Sequence, residues 1–129
     1  MPATAGWTGP VPDHRPWLKH YDDFVPRHID YPRLPLDALL DRAAAIQPDN
    51  PCTRFFGRQL SYRRVLEDAT KFAAGLRERG VKKGDKVVLL LPNSPQFVIA
   101  YYGLLKAGAV IVPLNPLSSE RELTFFLTD

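Results

Sequence analysis

The sequence predicts an α/β fold, and three observations carry that expectation. Val87 to Leu91 (VVLLL) is a continuous apolar run of strand length, the pattern of a parallel strand buried on both faces. A helix-length segment opening at Ser94 and Pro95 leads to a second short apolar run at Ala109 to Val112, so strand, crossover helix and strand make a βαβ unit. By contrast, residues 1–35 hold seven of the thirteen prolines, both tryptophans and all three histidines, and show no helical or strand period. They read as an extended arm.

Taken in order, the arm carries Trp7, Trp17, Tyr21, Phe24 and Tyr31, too many rings for a free linker, so they are expected to be buried against a surface. After Pro35, Leu36, Leu39, Leu40 and Ala43 recur at helical spacing, and QPDNP (Gln47 to Pro51) supplies the turn that ends that helix. Two short extended runs in CTRFFGRQLSY flank Gly57 and Arg58, predicting a hairpin with its turn there. Ser61 stands where an N-cap belongs. Tyr62, Val65, Leu66, Ala69, Phe72, Ala73 and Leu76 then fall on one helical face, and Gly80 supplies the stop. KKGD (Lys82 to Asp85) is a turn before the first strand of the βαβ unit. The crossover helix should run to about Ala107, with Gly108 ending it. Apolar residues on nearly every side, including Phe97, Val98, Tyr101, Tyr102, Leu104 and Leu105, predict that this helix is buried on two faces.

The last segment, SERELTFFLTD, places Glu122 three residues after Ser119, a capping box that opens one more helix. A helix of this kind crosses over to a further strand, so the fold is expected to be the incomplete N-terminal part of a larger α/β domain, with residues 36–129 as its start.

Composition bounds the function. At 129 residues, 45% hydrophobic and 24% charged, the chain falls in the range of one globular domain. One cysteine, Cys52, cannot form an internal disulfide, so a reduced compartment is the default. The first residues lack a basic segment followed by an apolar one, so they do not read as a secretory signal. Phe97 to Leu114 contains Lys106 as its single charge and could be mistaken for a membrane span. However, mid-membrane lysine costs roughly 2.5–3.5 kcal/mol, and Gly103, Gly108 and Pro113 interrupt the run, so a soluble element is expected. Between Arg54 and Lys86, ten Lys/Arg stand against four Asp/Glu, but Tyr62 and Phe72 fall on the apolar stripe and are not interleaved with the basic residues, so a solvated helix face is expected and no nucleic-acid partner.

The motif inventory is mostly exclusions. The crossover LLLPNSPQFV contains no glycine, and neither G-x-G-x-x-G nor G-x-x-x-x-G-K-[ST] occurs in the chain, which argues against a dinucleotide or P-loop site in these residues. His14, His20 and His28 lie six and eight apart near Asp13, Asp22, Asp23 and Asp30, wider than usual metal-ligand pairs, so no metal site is assigned. Cys52 has no histidine near it in sequence and reads as a small core residue. Tyr101 and Tyr102 read as core, with an apolar channel lining as the functional alternative.

The runs LSY, GVKKGDKVVLLLPNSPQFV, GLLKAGAVIVPLNP and REL, in this order and spacing across residues 36–129, resemble the opening of the adenylate-forming (AMP-binding) acyl-CoA synthetases. The arm PWLKHYDDFVPRHIDYPRLPL further resembles long- and medium-chain fatty-acid ligases through its W-L-x-x-Y element. The resemblance implies an ATP-dependent long-chain fatty-acid-CoA ligase as the parent protein. There a carboxylate attacks the α-phosphate of ATP with Mg²⁺ to give an acyl-adenylate and pyrophosphate, and coenzyme A then displaces AMP. The family motifs for that chemistry, T-[SG]-G-[ST]-T-G-x-P-K, Y-G-x-T-E and the C-terminal lysine region, have no counterpart in this chain. No catalytic, cofactor-binding or metal-binding residue is therefore assigned. ATP, Mg²⁺ and coenzyme A belong to the intact enzyme, and these residues alone are expected to bind none of them and to be inactive. Expected partners are fatty acid, ATP, coenzyme A, the remainder of the same chain and a second copy through the arm. The expected location is cytoplasmic, including a peripheral position at a membrane. The alternative is a stand-alone interaction or dimerisation module built on Trp7, Trp17 and Tyr21.

Overall fold

The computed structural model describes residues 15–128, and the chain divides into two units between Arg33 and Leu34. In the first unit, Pro16–His20 forms one 3-10 turn. Proline at its first position presets φ and needs no donor there, and Leu18 N–H bonds Arg15 C=O at 3.0 Å. Five residues are too few to show a period, which is why this element was not legible. A turn closed by Val25 N–H on Asp22 C=O follows. Against expectation, the rings described here are exposed, Phe24 by 84% and Tyr31 by 78%, and no described residue of the unit is buried to receive them. Trp7 lies outside the described residues.

The second unit begins with helix α1, Ala38–Ile46, entered by a turn in which Ala38 N–H bonds Pro35 C=O. It buries Leu40 and Ala44. Strands β1, Pro51–Phe55, and β2, Arg58–Ser61, pair antiparallel with a bulge at Cys52. Their two-residue turn is Phe56-Gly57, one residue earlier than expected, since Arg58 already pairs with Phe55. Both turn residues have positive φ, 45° and 77°. The right-handed twist of a hairpin demands that conformation, and glycine meets it at the second position while Phe56 takes it under strain.

Helix α2, Tyr62–Glu78, starts where Ser61 Oγ accepts the Arg64 N–H and ends in a Schellman motif, with Gly80 N–H on Arg77 C=O and Val81 N–H on Leu76 C=O. Strand β3, Lys86–Leu89, is shorter than the expected Val87 to Leu91, because the ladder closes with Leu114 N–H on Leu89 C=O. Helix α3, Pro95–Ala107, has Ser94 as its N-cap and a second Schellman end at Gly108, whose φ is 85°. Strand β4, Val110–Pro113, pairs parallel with β3 in the register Val87↔Ile111. Helix α4, Glu120–Thr128, opens with the expected capping box: Ser119 N–H donates to Glu122 Oε2 at 2.7 Å, and Glu122 N–H donates to Ser119 Oγ.

Helix α3 lies between two apolar clusters, as expected for a helix buried on two faces. Ala100 and Leu104 pack with Leu89 and Ala109, joined by Val87, Phe97, Tyr101 and Ile111. On its other side Val98, Ile99 and Tyr102 pack with Leu40, Val65 and Ala69. The sheet differs from expectation, since Val87, Leu89 and Ile111 face α3 while the Lys86, Val88 and Val110 face is only partly covered. An apolar run of strand length did not, in this case, mean burial on both faces.

Candidate functional site

In open α/β sheets, ligands gather outside the carboxyl ends of the strands, so the crossover Leu90–Pro95 is the place to test for chemistry. The chain leaves β3 through Leu90, Leu91 and Pro92 and enters α3 at Ser94. There the Ser94 hydroxyl accepts Phe97 N–H at 3.4 Å, its carbonyl accepts the same N–H at 3.1 Å and Val98 N–H at 3.4 Å, and Pro95 has no N–H to offer. The helix start is thus largely satisfied by its own cap. Facing it, Thr53, Arg54 and Phe55 of β1 close a cavity of about 240 Å³ with Asn93, Ser94, Pro95 and Val98. A phosphate cradle needs several converging backbone donors on a glycine-rich loop. These residues do not provide that set.

The residues singled out in the sequence are scattered. His20 and His28 are exposed in the first unit and His14 lies outside the described residues. Among the described residues no group of three His, Cys, Asp or Glu side chains could hold a metal ion. Cys52 packs beside Tyr62 and Tyr102 in the α1/α2 cluster, and burial pushes its thiol pKa up, which opposes a nucleophilic role. Burial first, and then the neighbouring Cys52, Tyr101 and Tyr62, raise the Tyr102 phenol. Tyr101 stacks on Phe97 at 6.1 Å and meets Tyr102 edge-on at 5.9 Å. The tyrosines form part of the core wall.

What sequence reasoning missed is an apolar trough of about 490 Å³ along β3, lined by Phe72, Val87 to Leu91, Gln96, Ile99, Ala100 and Leu104. The exposure of Phe72, at 40%, is the structural sign of it, and on the sequence this ring was indistinguishable from the buried members of its stripe. No helix among the described residues is long and apolar enough to cross a membrane. Lys106 instead bonds Asp41 at 2.6 Å and holds α3 to α1.

These residues form an α/β unit with its crossover helix held between two cores. The chain belongs to the AMP-binding enzyme family, whose pattern it matches over residues 40–129. It is 43% identical over 115 residues to the long-chain-fatty-acid--CoA ligase of Bacillus subtilis (strain 168) and 39% identical over 115 residues to that of Yersinia pestis. The matches cover 89% and 88% of this chain, and it spans about a fifth of the length of each relative, 20% in both cases. Among solved structures it resembles the Klebsiella oxytoca NpsA N-terminal subdomain in complex with anthranilyl-AMSN. The TM-score is 0.70 at 32% identity, covering 72% of this chain and 24% of that one.

Proposed function

We propose that the protein carrying these residues is an AMP-forming long-chain fatty-acid-CoA ligase, which joins a fatty acid to coenzyme A through an acyl-adenylate at the expense of ATP with Mg²⁺. The observation that supports this most is the 43% identity to a ligase of that name, running through both the arm and the βαβ unit. Residues 36–129 supply the opening scaffold of the AMP-binding domain, and the groups that handle phosphates, metal and thiol lie in other parts of the enzyme. The glycine-free crossover and the self-satisfied start of α3 support that division. On this reading the 129 residues alone are inactive. A cytoplasmic enzyme with a peripheral membrane position and a homodimer contact through the arm completes the proposal, and the exposed Trp17, Phe24 and Tyr31 support the contact.

The test is fatty-acid-dependent ATP–pyrophosphate exchange. It is measured on the 129-residue chain and on an in-frame chimera in which residues 40–129 replace the matching segment of the Bacillus subtilis ligase. Exchange by the chimera with long-chain fatty acids and none by the short chain is the expected pair of results. Exchange by the short chain would show that chemistry resides in these residues.

A further inference from the structure

We infer that the tip of the β1–β2 hairpin is a membrane-interface anchor. Phe56, backed by Phe55, enters the headgroup layer of an anionic phospholipid bilayer, and Arg54 and Arg58 hold lipid phosphates beside it. This rests on the peripheral membrane position proposed above and names the surface that makes the contact.

Phe56 is out of place by every measure of folding. At 92% it is the most exposed large hydrophobic among the described residues, and it belongs to neither apolar cluster. Its φ of 45° is one that Asn, Asp or Gly holds at less cost. A bulky apolar residue there gives up stability twice, in the backbone and in hydration, and gains no core contact in return. Strain of this kind points toward a role outside the fold. Phe55, 39% exposed, meets the Phe56 ring edge-on at 4.5 Å. The two rings form one apolar knob at the end of a ribbon two strands wide.

The charge around the knob has one sign. Pro51 to Leu66 contains four arginines and no Asp or Glu. Arg63 pairs with Asp49 and Arg64 with Asp68, which leaves Arg54 and Arg58 without an ion pair among the described residues. Both are exposed. Opposed residues of an antiparallel pair share a face, so Arg58 lies on the Phe55 face of the ribbon and Arg54, opposite Gln59, lies on the other. A guanidinium therefore flanks the rings on each face. Its planar fork suits phosphate oxygens.

The size and charge of the tip favour a bilayer over a protein partner. Two rings and two cations offer far less than the roughly 800 Å² that each side gives to a stable protein interface. A bilayer asks for less: apolar groups entering the boundary of the acyl region, with basic groups among anionic headgroups, give reversible attachment. No helix among the described residues is long and apolar enough to span a membrane, so a contact made by this unit is interfacial.

Vesicle flotation tests this on the 129-residue chain and on the Bacillus chimera described above. The vesicles are phosphatidylcholine mixed equally with phosphatidylglycerol, and phosphatidylcholine alone. Both proteins should float with the mixed vesicles, more weakly with phosphatidylcholine, and less as salt rises. Phe56→Asn removes the ring and supplies a residue that suits the turn. It should keep or raise the thermal midpoint while weakening vesicle binding roughly tenfold. Arg54→Gln and Arg58→Gln should each weaken binding to the mixed vesicles roughly fivefold. Flotation of Phe56→Asn equal to that of its parent would overturn the hairpin assignment and leave the peripheral reading to another surface. Failure of both parent proteins to float would sink both. Flotation of the short chain but not of a folded chimera would show that the longer protein covers the tip, and equally overturns the assignment. If the chimera does not fold, the short chain mixed with the separately produced remainder of the Bacillus ligase is floated instead, and the same pattern decides. Pyrophosphate exchange is scored separately without vesicles, where Phe56→Asn should change nothing. A folded chimera that floats through Phe56 but is inactive would sink the ligase reading and leave the anchor standing.

Discussion

Gly103 has a definite job: its missing Cβ lets α2 and α3 touch. A methyl group there would meet Phe72 Cδ1 at 2.7 Å and the Ala69 carbonyl oxygen at 3.0 Å. The phenyl ring can turn away toward the trough, but the backbone oxygen cannot. Gly103→Ala should therefore cost about 1–3 kcal/mol, as overpacking does, and lower the urea midpoint of the 129-residue chain without changing its slope. Truncating fully buried Leu104 to Ala leaves a cavity instead and should cost about 2–5 kcal/mol. Cys52 offers a chemical check on the same core. With its thiol pKa raised by burial, iodoacetamide at pH 8 should alkylate it more slowly in the folded chain than in urea. Equal rates would mean that the strand bearing it is open to solvent.

At the scale of elements, punctuation was the most legible feature. Ser61, Ser94 and Ser119 each stand at a helix start, and Gly80 and Gly108 each close a Schellman end, because caps depend on neighbours within a few residues. The misjudged features depend on partners farther away. The end of β3 is set by its register with Pro113, and the exposure of Phe72 by what does or does not lie beside β3. The hairpin turn was displaced by one residue because Phe56, a poor candidate for positive φ, is carried there by the pairing of Phe55 with Arg58. The candidate site was legible mainly as an exclusion. A phosphate loop announces itself through glycines, and the trough, built from residues of three elements, has no comparable local signature.

The start of α4 gives a prediction with a defined sign. Hydrogen bonds from Ser119 N–H and Oγ hold the Glu122 carboxyl below its ordinary range. A carboxylate with a lowered folded pKa contributes stability that is fully present above its unfolded pKa and is lost as pH falls through the folded value. Amides of the first turn of α4 should therefore lose protection on acidification across that window. Glu122→Gln can still accept from Ser119 but carries no titrating charge, and should flatten the dependence. An unchanged pH profile in that variant would mean that another group governs the helix start.

For the whole molecule, the feature that bears on its behaviour in solution is the edge of β3: that strand pairs with β4, and Leu90 and Phe72 near it each stand 40% exposed. An apolar, unblocked strand edge exposed to water is an aggregation site unless something covers it. The 129-residue chain on its own should thus self-associate as its concentration rises, through Leu90 and Phe72. Leu90→Lys separates the two roles of that edge. Leu90 is not among the core residues, so the substitution should leave the thermal midpoint of the short chain nearly unchanged, within roughly 0.5 kcal/mol. It should also shift sedimentation toward monomer, since a charged edge side chain opposes strand pairing. If the longer protein covers this part of β3, the same lysine in the chimera is buried, and burial of an unpaired ammonium is strongly unfavourable. That protein should fail to assemble. A Leu90→Lys chimera as stable as its parent would show that the edge stays open to solvent in the longer protein.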